Sequence, residues 1–163
     1  MHNDVVYFED MNAGLEMNSD TRIVTPEDTE TFADLTGDAN PIHIDDAYAA
    51  ESLYAGRIAH GALILSIATG LAYDLEAFSR SVEAITDVTW KFHQPVYVGD
   101  EIRARFTFRR KHSMPEYHGG LVVFDVEVLN QRSEVVQEGR WRLLVQGSPE
   151  IDHTQPSHRK SNA

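Results

Sequence analysis

The chain has 163 residues, no cysteine and a formal charge of −12 from 26 acids against 14 bases. That leaves room for one domain, and none for a disulfide frame, a thiolate nucleophile or a cysteine-held metal. The acidic balance excludes the basic footprint of nucleic-acid binding, and no apolar run is long enough to span a bilayer. Lysine is confined to Lys91, Lys111 and Lys160, a composition suited to solubility by self-repulsion in a high-salt cytoplasm. The opening Met-His-Asn-Asp-Val-Val lacks the parts of a signal peptide, so a cytoplasmic location is expected.

Residues 1–16 carry Val5, Val6, Tyr7 and Phe8, enough for a short arm laid across the body. Glu16–Val24 reads as a first strand. Thr25-Pro26-Glu27-Asp28 then marks a helix start, with a threonine cap, proline at the first helical position and acids in the first turn. This helix is predicted to run to Leu35, to bury Phe32 and Leu35, and to stop at Gly37. Asp45–Tyr54 reads as a short helix capped by Asp45 or Asp46, with Tyr48 facing inward.

Ala62–Phe78 is apolar on nearly every side as far as Ala72. A helix of that kind is buried all round and, at its full span, about 25 Å long. From Val82 the period changes. Val82–Phe92, Glu101–Arg110, Gly120–Leu129 and Val135–Val145 alternate or are β-branched and aromatic, which predicts four strands in an antiparallel meander. Helix first and strands after give an α+β class, an antiparallel sheet wrapped around a central buried helix. Residues 1–146 are expected to form the domain, and 147–163 a polar, disordered tail.

The segment that carries chemistry is Asp34–Asp45, with Asp38, Asn40 and His43 held between Gly37 and Pro41. A carboxylate and an imidazole five residues apart in a bent loop can reach one water, which suits general acid–base work. The same residues also fit an Asx turn whose side chains bond their own backbone, with His43 as a packed neighbour.

Asp38-Ala39-Asn40-Pro41-Ile42-His43, then Ala59-His60-Gly61 opening an apolar helix, then Phe92-His93-Gln94-Pro95-Val96-Tyr97-Val98-Gly99-Asp100 after a strand, resemble the MaoC-type dehydratases. These are the (R)-specific enoyl-CoA hydratases of the hot dog fold, and the similarity covers roughly residues 15–146. The resemblance implies Asp38 and His43 as the catalytic pair. It places Gly61 at the oxyanion position, with His60, Asn40 and Ser66 beside the substrate. Ser66 is equally explained as a hydroxyl bonded to its own helix, and His60 as a packing residue.

The implied reaction adds water across a trans-2-enoyl thioester or removes it from an (R)-3-hydroxyacyl thioester. It needs no metal and no organic cofactor, CoA serving only as the substrate's carrier. A homodimer or higher homo-oligomer is implied, without nucleic-acid or membrane partners. Thioester hydrolysis on the same fold is the alternative activity, and a non-catalytic acyl-thioester-binding subunit the alternative class. Arg103, Arg105 and Arg109 share a strand face by parity, either solvated or forming a patch for a CoA phosphate.

Overall fold

The structure is a computed structural model that describes residues 5–149; most of the tail read as disordered, 150–163, lies outside the described residues. Its elements are β1 (Glu16–Asn18), β2 (Arg22–Ile23), α1 (Pro26–Thr36), α2 (Pro41–Ile44), α3 (Asp46–Ala50), α4 (Gly61–Tyr73), β3 (Val82–Phe92), β4 (Glu101–Met114), β5 (Gly119–Asn130) and β6 (Val135–Gln146). One antiparallel sheet runs in the order β1-β4-β5-β6-β3, with β2 also on β4. Helix α4 packs on its inner face. None of the helices described is long and apolar enough to cross a membrane.

Local chemistry explains most element ends. Thr25 Oγ1 accepts from the Asp28 N–H while Asp28 accepts from the Thr25 N–H, a reciprocal cap that opens α1 at Pro26. Gly37 closes it at φ 80°, a left-handed position that favours glycine, with its N–H donated to Ala33 O. The predicted first strand is broken into β1 and β2. Between them the Ser19 hydroxyl accepts the Ala104 N–H at 2.8 Å and takes the place of a backbone carbonyl in the ladder.

The core forms where period-two strands meet the helix. Ile102, Ala104 and Phe106 on β4, Val122, Phe124, Val126 and Val128 on β5, and Trp141, Leu143 and Val145 on β6 close over Leu63, Ile64, Ile67, Ala68, Leu71 and Ala72 of α4. The N-terminal arm joins them. Phe8 and Met11 are buried, and Lys111 Nζ holds the arm by donating to the carbonyls of Phe8 and Glu9. On the outer face Arg105 pairs with Glu127, and both Arg109 and Arg140 with Asp125. Arg105 and Arg109 are thus matched by cross-strand acids, whereas Arg103 donates to Asn18 and Ser133.

Four expectations are corrected. The strands are not a simple meander, because β3 pairs with β6 at the far edge and reaches β4 only by a crossover. Helix α4 ends at Tyr73 rather than Phe78, since Asp74–Ser79 folds into turns that take Glu76 to a positive φ. It also keeps one side open: Ala62, Ser66, Thr69 and Tyr73 recur at helical spacing and are exposed. Leu35 and Tyr48 point outward, at 81% and 56% exposure, while Ala33 and Ala49 take the buried positions.

Candidate active site

The loop after α1 is built by its own side chains and then fixed by distant ones. Asn40 caps α2 by accepting the Ile42 N–H at 3.2 Å, so its carbonyl oxygen is spent on the backbone, as the Asx-turn reading has it. Pro41 takes the first helical position, and His43 falls on the third residue of a four-residue helix. So short a helix does not hold its own orientation. His43 is fixed instead by Ile58, fifteen residues on, whose carbonyl lies 2.7 Å from Nδ1. A carbonyl only accepts, so Nδ1 carries the proton, and the Nε2 lone pair of the neutral ring is left for another partner.

His60 completes the arrangement. It is buried, its ring stacks on His43 at 3.8 Å between centroids and 30° between planes, and Phe32 lies against it at 4.9 Å. Its Nε2 donates to the Asp38 carbonyl at 2.9 Å, which ties the carboxylate-bearing residue to the start of α4. Its Nδ1 is buried without a partner. Asp38 itself is exposed. Burial pushes the His43 imidazole below its ordinary range, with a contribution in the same direction from His60. The Ile58 bond and the Asp38 charge oppose it. The balance favours the neutral ring.

Asp38, His43 and His60 each bring a potential ligand atom within 4.8 Å of the others. Imidazole lone pairs lie in the ring planes, however, and two nearly parallel stacked rings do not aim them at one ion. One nitrogen of each ring is already committed to a carbonyl. The cluster is better shaped to move a proton than to hold a tetrahedral cation.

The start of α4 is the other half of the site. His60 gives the helix no side-chain cap, so its first-turn N–H groups are unblocked by side chains and carry the positive end of the helix dipole. Gly61 O accepts from Gln137 Nε2 at 3.1 Å, and Gln137 Oε1 accepts from Trp90 Nε1 at 2.8 Å, which pins this end to the sheet. A cavity of about 470 Å³ opens here, lined by Tyr54, Ile58, Gly61, Ala62, Phe92 and Gln137 among others. Neither Asp38 nor His43 lines it; the two halves meet through Ile58, which lines the cavity and holds His43. A Cβ at Gly61 would lie 2.7 Å from Phe92 Cε1, so any side chain there displaces the exposed Phe92 ring.

Ser66 is not among the residues lining that cavity; it is exposed and donates to Ala62 O at 2.8 Å, the ordinary use of a helix hydroxyl. Tyr97 is half-buried, and its hydroxyl donates to Tyr54 O at 3.1 Å. Sequence reading missed Ile58, Arg57, Gln137 and Trp90. Their parts are played by a backbone carbonyl or by side chains whose partners lie up to 76 residues away, and no local spacing signals that.

Comparison with known proteins bears on the family and the fold. A family profile described as MaoC like domain matches residues 12–127. The chain is 32% identical over 143 residues to Protein MaoC of Klebsiella aerogenes, covering 87% of this chain and 39% of that protein. It is 37% identical over 73 residues to an (R)-specific enoyl-CoA hydratase of Aeromonas caviae, covering 45% of this chain and 53% of that one. Among solved structures, a monoamine oxidase regulatory protein from Archaeoglobus superposes with a TM-score of 0.79 at 35% identity, over 89% of this chain and 97% of the other. The chain therefore spans well under two thirds of the length of those two curated relatives.

Proposed function

The chain belongs to the MaoC-like dehydratase family, and from that premise we propose that it is an (R)-specific enoyl-CoA hydratase, interconverting trans-2-enoyl and (R)-3-hydroxyacyl thioesters. The observation that carries the proposal is the 2.7 Å contact of His43 Nδ1 with the Ile58 carbonyl, from which the tautomer follows. With Nδ1–H donated to Ile58 and the ring kept neutral by burial, Nε2 is available as a base beside the Asp38 carboxylate.

In this reading one water is held between His43 Nε2 and Asp38. His43 takes a proton from it as the oxygen bonds to Cβ; the Cα–Cβ π pair becomes the C1–Cα π bond and the carbonyl π pair moves onto the thioester oxygen, giving an enolate. The Gly61 N–H, at the positive end of α4, stabilises that oxygen. The imidazolium then returns its proton to Cα on the same face, and Asp38 balances its charge in the interval. Both hydrogens and the oxygen come from the same water, and the enzyme ends as it began. No redox or Lewis-acid step is required.

A second copy of the chain is part of the proposal. Among the described residues no strand pairs with the outer edge of β3, which exposes Ile85, Val88 and Phe92 beside the open stripe of α4. Homodimerisation through that edge would cover both and would bring the partner near the cavity at Gly61.

The test is loss of the enoyl-thioester absorbance with crotonyl-CoA and longer homologues, with free thiol followed in parallel. Loss of absorbance without thiol and with an (R)-3-hydroxyacyl product supports the proposal. Thiol release would reassign the site to thioester hydrolysis, and silence across chain lengths would favour a non-catalytic acyl-thioester-binding role.

A further inference from the structure

Arg57 is among the few charged residues of the described chain that are buried, at 9% exposure. Its acidic neighbours do not account for it. Glu30 and Asp46 lie 3.5 and 3.7 Å away with side chains 55% and 88% exposed, and such pairs contribute little. A buried guanidinium held only by these would be replaceable by an apolar side chain. Its short bonds are made to neutral acceptors. Nε donates to the His43 carbonyl at 2.8 Å, and Nη2 donates to Thr29 Oγ1 at 2.8 Å, inside α1, where Thr29 is fully buried.

The neighbours of Arg57 act on the same histidine. Ile58 accepts from the His43 ring and donates its own N–H to Ile42 O at 3.4 Å. The Arg57 carbonyl accepts from the Val98 N–H, and Ala59 donates to Val96 O, so the strip 57–59 is itself fastened to the turn beyond β3. His43 is consequently gripped at both ends, its ring by Ile58 and its backbone by Arg57. Only a forked donor set reaches α1 and α2 together; a lysine ammonium would serve one acceptor or the other.

On the hydratase reading, we propose that Arg57 is a positioning residue for His43. It fixes the short helix α2 against α1, so that the ring keeps the Nδ1–H tautomer and presents Nε2 to the substrate water. Displacing a catalytic group by about 1 Å costs on the order of 10²-fold in rate, and a four-residue helix without its clamp has that freedom.

The test reads the His43 ring directly. Long-range ¹H–¹⁵N spectra of the imidazole are compared in the full-length wild type, Arg57→Met and Arg57→Lys, with His43→Gln supplying the assignment. Wild type should hold a single Nδ1–H tautomer. Arg57→Met should mix tautomers and lose roughly 10²-fold in kcat, with KM within about 3-fold, as expected when a transition-state arrangement is loosened. Millimolar methylguanidinium should restore both signals, and Arg57→Lys should fall between. A folded Arg57→Met protein that keeps one tautomer overturns the proposal, even if its melting temperature falls. If Arg57→Met does not fold, Thr29→Val decides, since it removes the second anchor and keeps the guanidinium; an unchanged tautomer there is equally fatal. The tautomer needs no turnover, so absence of hydratase activity in the wild type would defeat the functional reading and still leave the role of Arg57 decided.

Discussion

Replacing Gly61 by proline isolates one hydrogen bond donor. Gly61 is the first residue of α4, where proline is favoured because its missing N–H has no partner within the helix. The residue before a proline must be extended, and His60 already is, at φ −57° and ψ 135°. The substitution therefore leaves the helix intact. Its Cβ would meet the Phe92 ring at 2.7 and 2.8 Å, so Phe92 must shift, in this variant and in Gly61→Ala alike.

Gly61→Ala makes the same contact and keeps the N–H, so the ratio of the two variants reports the donor alone. Loss of one oxyanion donor is worth about 10²–10³ in kcat, or about 2.7–4 kcal/mol of transition-state stabilisation. The lower figure applies here, because the remaining first-turn N–H groups and the dipole of a thirteen-residue helix persist. Gly61→Ala should stay within a few-fold of wild type, and Gly61→Pro should fall roughly a further 10²-fold at similar melting temperature. The assay is initial loss of enoyl absorbance at saturating crotonyl-CoA, with circular dichroism melts alongside. A folded Gly61→Pro enzyme as fast as Gly61→Ala would refute the assignment of the enolate oxygen to this N–H.

Asp38→Asn and His43→Gln should each fold and lose at least ~10²-fold in kcat, since each removes a group from the proton path; near-wild-type turnover in either would overturn the pair. The acid limb of kcat/KM should have its midpoint below 6.5, because burial holds the folded His43 under that value. The linkage has the matching sign: His43's contribution to stability is complete above pH 6.5 and is lost as pH falls through its depressed folded value, which melts of wild type and His43→Gln between pH 5 and 7.5 would compare. Light scattering at micromolar concentration should give a dimer or larger, and a charge such as Val88→Asp on the β3 edge should weaken it; a clean monomer for the wild type contradicts the proposed interface. Stability should rise in molar KCl, since a net charge of −12 repels itself and salt screens it; salt-indifferent melts would remove the high-salt explanation of the composition.

What the sequence determined by itself is what acts over a few residues. The Thr25–Asp28 cap, the stop at Gly37, the Asn40–Pro41 turn into His43 and the alternation of β4, β5 and β6 are all short-range steric or hydrogen-bonding preferences. Asp38 and His43 stood out for the same reason, being packed into one punctuated loop, whereas His60 and Gly61 became candidates only through the family resemblance.

Only the tertiary structure decided the rest. Strand β3 looks like its neighbours in pattern, and its choice of β6 over β4 follows from how the sheet closes on α4 rather than from its own residues. Leu35 and Tyr48 face out because helical phase at their ends was set by the packing of Ala33 and Ala49. The tautomer of His43 depends on a carbonyl fifteen residues away, and its orientation on a guanidinium that also reaches Thr29. A backbone carbonyl has no letter in the sequence, and a long-range bond leaves no period. Local order is written along the chain, but the chemistry of the site exists only once distant segments have been brought within about 3 Å of one another.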